Sequence, residues 1–488
     1  MRRTFFPVAL LAALAIVPST ALAHPEHRCG VSFVGIEVFC PAPIGGLLGD
    51  NSAAMTPFGD VDSAQLVKLA TLRKGGDFAT DSAHNSDMAF WGDYAIQGNY
   101  QGFQIIDISD DKPEVVAHKT CPGSQNDVSV WKHLIITSTD SQRNASACEN
   151  NTGAAGVAGL VNLGTDAWEG LRIFDWSDPA NPVLVGAVKT KCGSHTNTIV
   201  PDDANGRVLV YVSSYGPGAN ANCLPPHDLI SVVEIPLDAP QDARVLSEPV
   251  LFPASDLADG NVPQAGTSGC HDITAYPAIG LAAGACMGEG ILLDIADPAN
   301  PRKIATMRDP NFSFWHSATF TNDGKKVIFT DELGGGSAAR CTDAYGPNQG
   351  ADAIYDISDR NSPRFLSYFK IPRYQTNEEN CVSHNGSLMP VPGKDVMVQA
   401  WYQGGISVID FSDPTAPKEI AFYDYGPIDE TKLQAGGYWS AYWYNGRIYG
   451  NEMYRGFDVL DYRGPEINAK LPYLNAQSQE PLPTEATS

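Results

Sequence analysis

The sequence has few basic residues for its length. Its 488 residues include 32 lysines and arginines against 56 aspartates and glutamates, which gives a formal net charge of −24. A surface of that sign repels nucleic acid and anionic lipid, and it favours solubility. We therefore expect no nucleic-acid partner and no insertion into a membrane.

Long apolar runs are also missing. After residue 23 no stretch approaches the roughly 20 apolar residues that a membrane-spanning helix needs. The first 23 residues combine Arg2 and Arg3, an apolar stretch over 8–17 and the small-x-small sequence Ala-Leu-Ala at 21–23. This pattern is typical of a secretory signal peptide. It predicts a secreted or periplasmic protein that begins at His24, and association with the cell surface is left open.

Several catalytic and metal-binding motifs do not occur. There is no CxxC pair, no GxSxG elbow and no phosphate-binding P-loop. The first absence argues against a zinc ribbon and against a thioredoxin-like redox motif. Ten cysteines in an exported chain instead indicate disulfides.

Long segments with helical periodicity are missing as well, and a strand-like phrase recurs in their place. Two clear copies read GLRIFDWSDPANP from Gly170 and GISVIDFSDPTAP from Gly405. The acidic residue of the phrase recurs seven times, at steps of 51 to 68 residues: Asp107, Asp175, Glu234, Asp294, Asp356, Asp410 and Asp461. A strand repeated at such a period indicates a propeller or a solenoid.

Each repeat can be divided into four short strands. In the fifth repeat they are 318–321, 326–330, 353–357 and 364–371, with an Asn-Asp-Gly turn at 322–324 between the first two. We predict an all-β, seven-bladed β-propeller of four-stranded blades over residues 61–465. The segment 64–73 has the pattern of a single strand, and we expect it to complete the last blade and close the ring. Residues 24–60 are interpreted as an N-terminal extension with a Cys29–Cys40 disulfide, and 466–488 as a polar tail.

The repeated Ser-Asp-Pro segments admit two interpretations. They are acidic and recurrent, as a calcium-binding repeat would be. Asp and Pro are also the residues that tight turns require, because an Asp side chain bonds nearby backbone N–H groups and Pro fixes φ. We interpret these segments as structural turns.

The recurring phrase resembles the LVIVD repeat of secreted bacterial propellers. That resemblance implies the propeller fold without assigning a reaction. The strand pattern is more remotely similar to the YVTN-type propellers, and to the histidine-bearing propellers of nitrous oxide reductase and selenium-binding protein. The likeness to nitrous oxide reductase implies that histidines at the hub of such a propeller can bind metal.

Histidines recur at one structural position. In five of the seven repeats a histidine lies just before the first strand, so that five side chains are expected to converge on one mouth of the channel: His84, His195, His271, His316 and His384. Such a ring suits copper, zinc or iron. Asp331 and Glu332 follow a second strand on the same face, and either could bind a metal or act as a general base. The alternative is that these groups cap loop carbonyls.

Cysteines and aromatic residues fall in loops of the same face. The loop positions predict the pairs Cys121–Cys148, Cys192–Cys223, Cys270–Cys286 and Cys341–Cys381. Aromatic residues there could form a stacking floor for a ligand or could pack blade against blade: Tyr100, Tyr215, Tyr402, Trp439 and Tyr454.

Two functions of different classes remain open. The first is an exported, monomeric propeller that binds a small molecule, a glycan or a protein on its histidine-rich face. The second is a metal-dependent oxidase or hydrolase that uses the histidine cluster, so the sequence leaves open whether the protein is an enzyme. Propellers serve both classes, and the fold does not choose between them.

Overall fold

The computed structural model describes residues 61–149, 167–216, 222–252 and 267–465, together with residue 467 and two short strands beyond it. The predicted signal peptide, the N-terminal extension with its Cys29–Cys40 pair and most of the tail lie outside these residues. Within the described part, no helix has the length and apolar character required to cross a bilayer. Its helical elements are single 3-10 turns, which span Gly76–Phe78, Asp203–Asn205, Pro240–Asp242, Pro277–Ile279 and Asp343–Tyr345.

The rest of the ordered structure is β-strand. Two strands precede the repeats, and six four-strand units and one three-strand unit follow in chain order. They are β1 (Val61–Asp62), β2 (Leu66–Arg73), β3 (Asn85–Trp91), β4 (Tyr94–Asn99), β5 (Gly102–Asp107), β6 (Glu114–Thr120), β7 (Val128–Trp131), β8 (Leu134–Arg143), β9 (Trp168–Asp175), β10 (Val183–Lys189), β11 (Thr196–Asp202), β12 (Arg207–Ser213), β13 (Ser231–Pro236), β14 (Arg244–Ser247), β15 (Asp272–Tyr276), β16 (Leu281–Cys286), β17 (Glu289–Asp294), β18 (Arg302–Met307), β19 (Trp315–Phe320), β20 (Lys326–Asp331), β21 (Asp352–Asp356), β22 (Arg364–Phe369), β23 (Asn385–Met389), β24 (Val396–Ala400), β25 (Ile406–Asp410), β26 (Lys418–Asp424), β27 (Tyr438–Tyr444), β28 (Arg447–Glu452), β29 (Gly456–Tyr462), β30 (Tyr473–Leu474) and β31 (Pro481–Leu482).

Consecutive strands pair antiparallel into four-stranded sheets, which is the construction of β-propeller blades. Five such sheets are separate: β3–β6, β7–β10, β11–β14, β15–β18 and β19–β22. A nine-stranded sheet contains the rest, in the order β1-β26-β25-β24-β23-β27-β28-β29-β2. The strand predicted at 64–73 is observed as β2, and it pairs antiparallel with β29 from Leu66–Tyr462 to Arg73–Gly456.

The first strands of the units are neighbours of one another: β3 contacts β7, and contacts continue through β11, β15, β19 and β23 to β27, which contacts β3. Side-chain hydroxyls link several of these strands across the gap between sheets. The hydroxyl of Thr196 donates to the His271 carbonyl at 2.7 Å, and that of Thr274 donates to the Ala318 carbonyl at 2.6 Å. Apolar residues between the sheets form the core, where Trp91 and Trp131 meet edge to face at 5.4 Å.

The acidic residue of the recurring phrase acts as a turn former. Asp107, Asp175 and Asp410 each accept a hydrogen bond at 2.8–3.0 Å from the backbone N–H two residues further on. This Asx-turn geometry directs the chain from the third strand of a unit into the fourth. The contacts agree with the structural interpretation of the Ser-Asp-Pro segments.

The glycine that opens the phrase is required by close backbone approach. Gly170 has φ +146°, and a Cβ placed there would lie 2.0 Å from the Val188 carbonyl oxygen on the neighbouring strand. Gly102 has φ +148°, and a Cβ there would lie 1.9 Å from the Lys119 carbonyl oxygen. Only glycine allows the third and fourth strands to pair at these positions.

All four cysteine pairs predicted within the described residues are present. They are Cys121–Cys148, Cys192–Cys223, Cys270–Cys286 and Cys341–Cys381. Closing loops of this length stabilises a fold by roughly 3–4 kcal/mol each in the chain-entropy description. Disulfides of this kind fit an oxidising compartment.

The glycine geometry predicts a difference between two alanine substitutions. Gly170→Ala should lower the free energy of unfolding by about 3 kcal/mol or more, because a forbidden φ and a carbonyl clash act together. The control Gly206→Ala also has positive φ, +67°, but nothing lies within 4 Å of its Cβ position. It should cost only about 1 kcal/mol. Urea unfolding followed by circular dichroism measures both, and equal losses would contradict the clash.

Candidate functional site

Four of the five predicted histidines form a continuous arc. The ring centroids are 4.3 Å apart between His195 and His271, 4.1 Å between His271 and His316, and 4.2 Å between His316 and His384. All four residues are buried, with at most 5 % of their surface exposed. Each comes from a different sheet, at or just before the start of its first strand.

His84 lies apart from this arc. Its ring contacts Tyr100 at 5.2 Å and Tyr454 at 4.8 Å, and no ring contact joins it to the other four histidines in the described part of the chain. The structure therefore brings together four of the five residues that the sequence placed at the channel mouth.

Irregular strand pairing turns some of these side chains toward the shared space. In β19 the register shifts between Trp315 and Ala318, so that His316 and Ser317 together face one residue of β20. This is a β-bulge, which redirects side chains and is common beside active sites. Comparable shifts occur at the start of β3 and of β27, where Asp87 and Trp439 are the displaced residues.

Hydrogen bonds fix the ring orientation of three of the histidines. His195 Nδ1 lies 2.6 Å from Asp140 Oδ2, and His271 Nδ1 lies 2.9 Å from Asp272 Oδ1. His384 Nδ1 bonds the Trp439 carbonyl. Histidines that bind metal usually donate the other ring N–H to a carboxylate or a backbone carbonyl in this way.

Three ring nitrogens of the arc are buried without a hydrogen-bond partner. They are Nε2 of His195, Nδ1 of His316 and Nε2 of His384. An unpaired buried polar atom costs about 1–3 kcal/mol, and native structures rarely contain several in one place. A bound ligand at this position would satisfy them.

Glu332 places a buried carboxylate beside two rings of the arc, those of His316 and His384. Its Oε2 lies 3.8 Å from His316 Nε2, and its Oε1 lies 3.7 Å from His384 Nε2. Ligand atoms of His271, His316 and Glu332 all lie within 4.8 Å of one another. Ligands that share one metal at bonds of about 2.0–2.2 Å lie roughly 3–3.5 Å apart, so small side-chain rotations would complete the site.

Asp331, the other predicted carboxylate, bonds backbone amides instead. Its Oδ1 accepts the N–H groups of Ser313 and Phe314 at 2.9 and 2.8 Å, and its Oδ2 accepts that of Gly350 at 2.8 Å. Successive residues of a strand point to opposite sides, and here one carboxylate anchors loops while Glu332 faces the histidines.

Burial determines the protonation of the arc. Burial and the neighbouring imidazoles lower the pKa of His271 and His316 well below the ordinary value, and burial lowers that of His384 to about 3. These three rings are therefore neutral, as metal ligands must be. Burial alone would lower the pKa of His195, but the hydrogen bond and charge of Asp140 outweigh it and raise that pKa. Burial raises the pKa of Glu332 to about 7.

Aromatic residues pack against the histidines. Tyr215 and Phe314 contact His271, Tyr402 and Trp439 contact His384, and Tyr100 and Tyr454 contact His84. Tyr215 stacks on His271 at 5.0 Å, and Tyr402 packs on His384 at 4.5 Å. The Tyr402 hydroxyl donates to Glu332 Oε1 at 2.6 Å, which positions that carboxylate. Tyr402 also has φ +54°, an uncommon backbone conformation for a bulky residue.

A small cavity lies against the arc. Its lining includes residues at or near the start of all seven first strands: Ser86, Asp87, Gln125, Asp127, His195, Thr196, His271, Asp272, His316, Asn385 and Trp439. Three of these residues are aspartates, and no lysine or arginine is among them.

Sequence reasoning missed several residues that shape the site. Asp140 and Asp272 orient His195 and His271, yet neither belonged to the predicted set. Asp140 occupies in its unit the position that Glu332 occupies in the fifth, counted from the residues that pair with the acidic residue of the repeat, Leu134 with Asp175 and Lys326 with Asp356. Asp272 directly follows a predicted histidine. These positions are visible in the sequence. The roles of Asp140 and Asp272 can be recognised only from the fold, which shows the atoms that lie beside them.

The chain carries LVIVD repeats. The LVIVD repeat family model matches residues 165–190 and 400–425, which contain β9 with β10 and β25 with β26. No curated protein sequence matches this chain.

Several solved structures are similar to the chain. The Cps50 (Swd1) β-propeller domain of Myceliophteria thermophila shares 10 % identity over 81 % of this chain and 98 % of that one, with a TM-score of 0.47. The periplasmic gluconolactonase PpgL of Pseudomonas aeruginosa also shares 10 %, over 82 % and 98 %, with a TM-score of 0.47. A functionally unknown protein of Desulfotomaculum acetoxidans shares 13 %, over 77 % and 100 %, with a TM-score of 0.44. At these values the likeness carries no functional argument.

The raised pKa of Glu332 predicts a pH-dependent stability difference. A carboxyl group whose folded pKa is about 7, against 4.5 ordinarily, destabilises the fold above pH 7, and this cost disappears as the pH falls to 4.5. In protein treated with a chelator, Glu332→Gln should therefore raise the free energy of unfolding by roughly 1–3 kcal/mol at pH 8. The gain should vanish near pH 4.5. Denaturant unfolding across this range measures it, with the exposed Glu114→Gln as control, and a gain independent of pH would contradict the assignment.

Proposed function

We propose that the protein is an exported β-propeller that binds a transition-metal ion through His271, His316, His384 and Glu332, with His195 beside them. The observation that carries the proposal is the group of buried ring nitrogens without partners, next to a buried carboxylate. Imidazole and carboxylate ligands suit zinc, copper or iron. All of these residues belong to one chain, so a monomer suffices.

The proposed architecture is a closed ring of seven blades over residues 61–465. Two observations support it. The strand β27 contacts β3, and the small cavity is lined by residues at or near the start of all seven first strands. Pairing of β2 with β29 supplies the fourth strand of the last blade. Closure places the starts of the first strands around one axis, which is where the histidines lie.

Export to the periplasm or the cell exterior is the proposed localisation. The four disulfides support it, because such bonds persist in oxidising compartments. The mature chain would begin at His24. Intact mass of the exported protein, before and after reduction, checks both the cleavage and the oxidation state.

Metal analysis tests the proposed function directly. Protein purified after export, without a histidine tag or chelator, should contain about one transition-metal ion per chain, as expected for one site. The double variant His271→Ala, His316→Ala should lose it, whereas His84→Ala should retain it because His84 lies outside the arc. Elemental mass spectrometry measures the content. A metal-free wild-type protein whose melting temperature ignores added zinc, copper and iron would overturn the proposal, as would full metal content in the double variant.

A metal-dependent hydrolase or oxidase is the second candidate, favoured by the Asp140–His195 pair. That pair holds a buried imidazole whose Nε2 has no hydrogen-bond partner, 4.3 Å ring to ring from His271. An imidazole oriented by a carboxylate is a common general base. His195→Gln should then keep the metal but lose turnover of ester or phenol substrates by about 100-fold or more. If the metal-loaded wild-type protein turns over neither substrate class, the enzyme candidate is excluded and the binding function stands.

A further inference from the structure

The two oxygens of the buried Glu332 carboxylate have different surroundings. Oε1 accepts the Tyr402 hydroxyl at 2.6 Å and lies 3.7 Å from His384 Nε2. Oε2 lies 3.8 Å from His316 Nε2 and accepts no hydrogen bond from the described part of the chain. The phenol hydroxyl therefore occupies one oxygen and leaves the other to face the histidines.

The backbone of Tyr402 is held in a conformation that bulky residues rarely adopt. Its φ is +54°, and strain of this kind, about 1–3 kcal/mol, persists only where the surrounding structure holds it. The Tyr402 carbonyl accepts the N–H groups of Tyr438 at 2.9 Å and Gly405 at 3.1 Å. Gly437 passes so close that a Cβ placed there would lie 2.5 Å from the same carbonyl oxygen. These contacts fix the point from which the Tyr402 side chain starts.

The ring of Tyr402 is confined as well. It packs on the His384 ring at 4.5 Å. A Cβ placed on Gly336 would lie 2.5 Å from the Tyr402 hydroxyl oxygen, so only glycine admits the side chain at that point. Asn380 Nδ2 donates to the Gly336 carbonyl at 2.6 Å and holds the glycine in place. Backbone and ring contacts together direct the hydroxyl to Glu332.

The number of oxygens that a carboxylate offers affects which metal a site prefers. Imidazole ligands suit zinc, copper and iron, whereas oxygen ligands suit manganese, magnesium and calcium. A carboxylate that is free at both oxygens can bind one ion through both. If the second oxygen instead accepts a hydrogen bond from a phenol, only the first is available to the ion, and imidazole nitrogens dominate the ligand set.

We propose that Tyr402 determines the metal specificity of the site by restricting Glu332 to a single metal-binding oxygen, Oε2. This inference rests on the proposed metal function. It assigns Tyr402 a positioning role, because its hydroxyl acts through Glu332, and the restriction favours zinc over manganese. Removing a partner that orients a metal ligand typically weakens metal binding by roughly 10- to 100-fold.

Zinc and manganese titrations of Tyr402→Phe test this role. Full-length protein is stripped with chelator, and the two dissociation constants are measured by competition with a chromophoric chelator for zinc and by calorimetry for manganese. The substitution removes only the hydroxyl, so the ring keeps its contact with His384. Zinc binding should weaken roughly 10- to 100-fold. Manganese binding should weaken less or strengthen, so that the preference for zinc falls by about tenfold or more.

Two neighbouring glycines provide a matched pair of variants. Gly336→Ala should displace the Tyr402 ring and reproduce the loss of zinc preference. Gly335→Ala is the control, because its φ of +69° resembles the +63° of Gly336 but nothing lies within 4 Å of its Cβ position. It should leave the preference unchanged. Melting temperatures without added metal identify any variant that fails to fold, and Gly336→Ala carries the test if Tyr402→Phe does not fold.

A double substitution shows whether the hydroxyl acts through Glu332. In protein that carries Glu332→Ala, the further change Tyr402→Phe should leave the ratio of the two dissociation constants unchanged, because the group that the hydroxyl orients is gone.

Two results would overturn the role of Tyr402 and leave the proposed metal function standing. One is a zinc preference in folded Tyr402→Phe equal to that of the wild type, whether both affinities are kept or fall together. The other is an undiminished effect of Tyr402→Phe in the Glu332→Ala background. A wild-type protein that binds copper or iron but not zinc also overturns this inference alone. One that binds none of these metals overturns the proposed function as well.

Discussion

The burial of four neighbouring imidazoles is the constraint on which the site depends. The four histidines, His195, His271, His316 and His384, are almost entirely buried, so each polar atom that faces the space they share needs a hydrogen-bond or ligand partner. The carboxylates of Asp140 and Asp272 and the Trp439 carbonyl occupy one nitrogen on each of three rings. The opposite nitrogens of His195 and His384 are left for the shared space. Burial also keeps most of the rings neutral, so that their lone pairs remain available.

Acidic residues divide into groups according to their partners. Asp107, Asp175 and Asp410 of the repeat, and Asp331, bond backbone N–H groups and hold turns and loops. Asp140 and Asp272 bond imidazoles and set ring orientation. The Glu332 carboxylate accepts the Tyr402 hydroxyl and faces His316 and His384. The same functional group thus acts as a turn former, an orienting residue or a candidate ligand, and the fold rather than the residue type decides which.

Much of the fold could be predicted because its signals are local. The strand at 64–73 and the four described cysteine pairs follow from alternation and spacing within the repeat, and the structure contains them. Convergence of the histidines was predictable as a position in each repeat, but the separation of His84 was not, since it depends on the aromatic side chains packed around it. Asp331 and Glu332 are adjacent in the chain, and only the amides of Ser313, Phe314 and Gly350 distinguish them. The roles of Asp140 and Asp272 likewise depend on atoms distant in sequence or on ring orientation.

The bulges at the start of β3, β19 and β27 make two features of these strands independent. One is which residues line the shared space, and the other is which residues pack between the sheets. In a regular strand, alternation dictates whether a residue faces the neighbouring sheet or the shared space, so a change at one position constrains the next. An extra residue releases Asp87, His316 and Trp439 from that alternation. Substitution there alters the lining while the hydrophobic residues that follow keep their places between the sheets. Residues that line the shared space can therefore be substituted at these points without a change in the packing of the core.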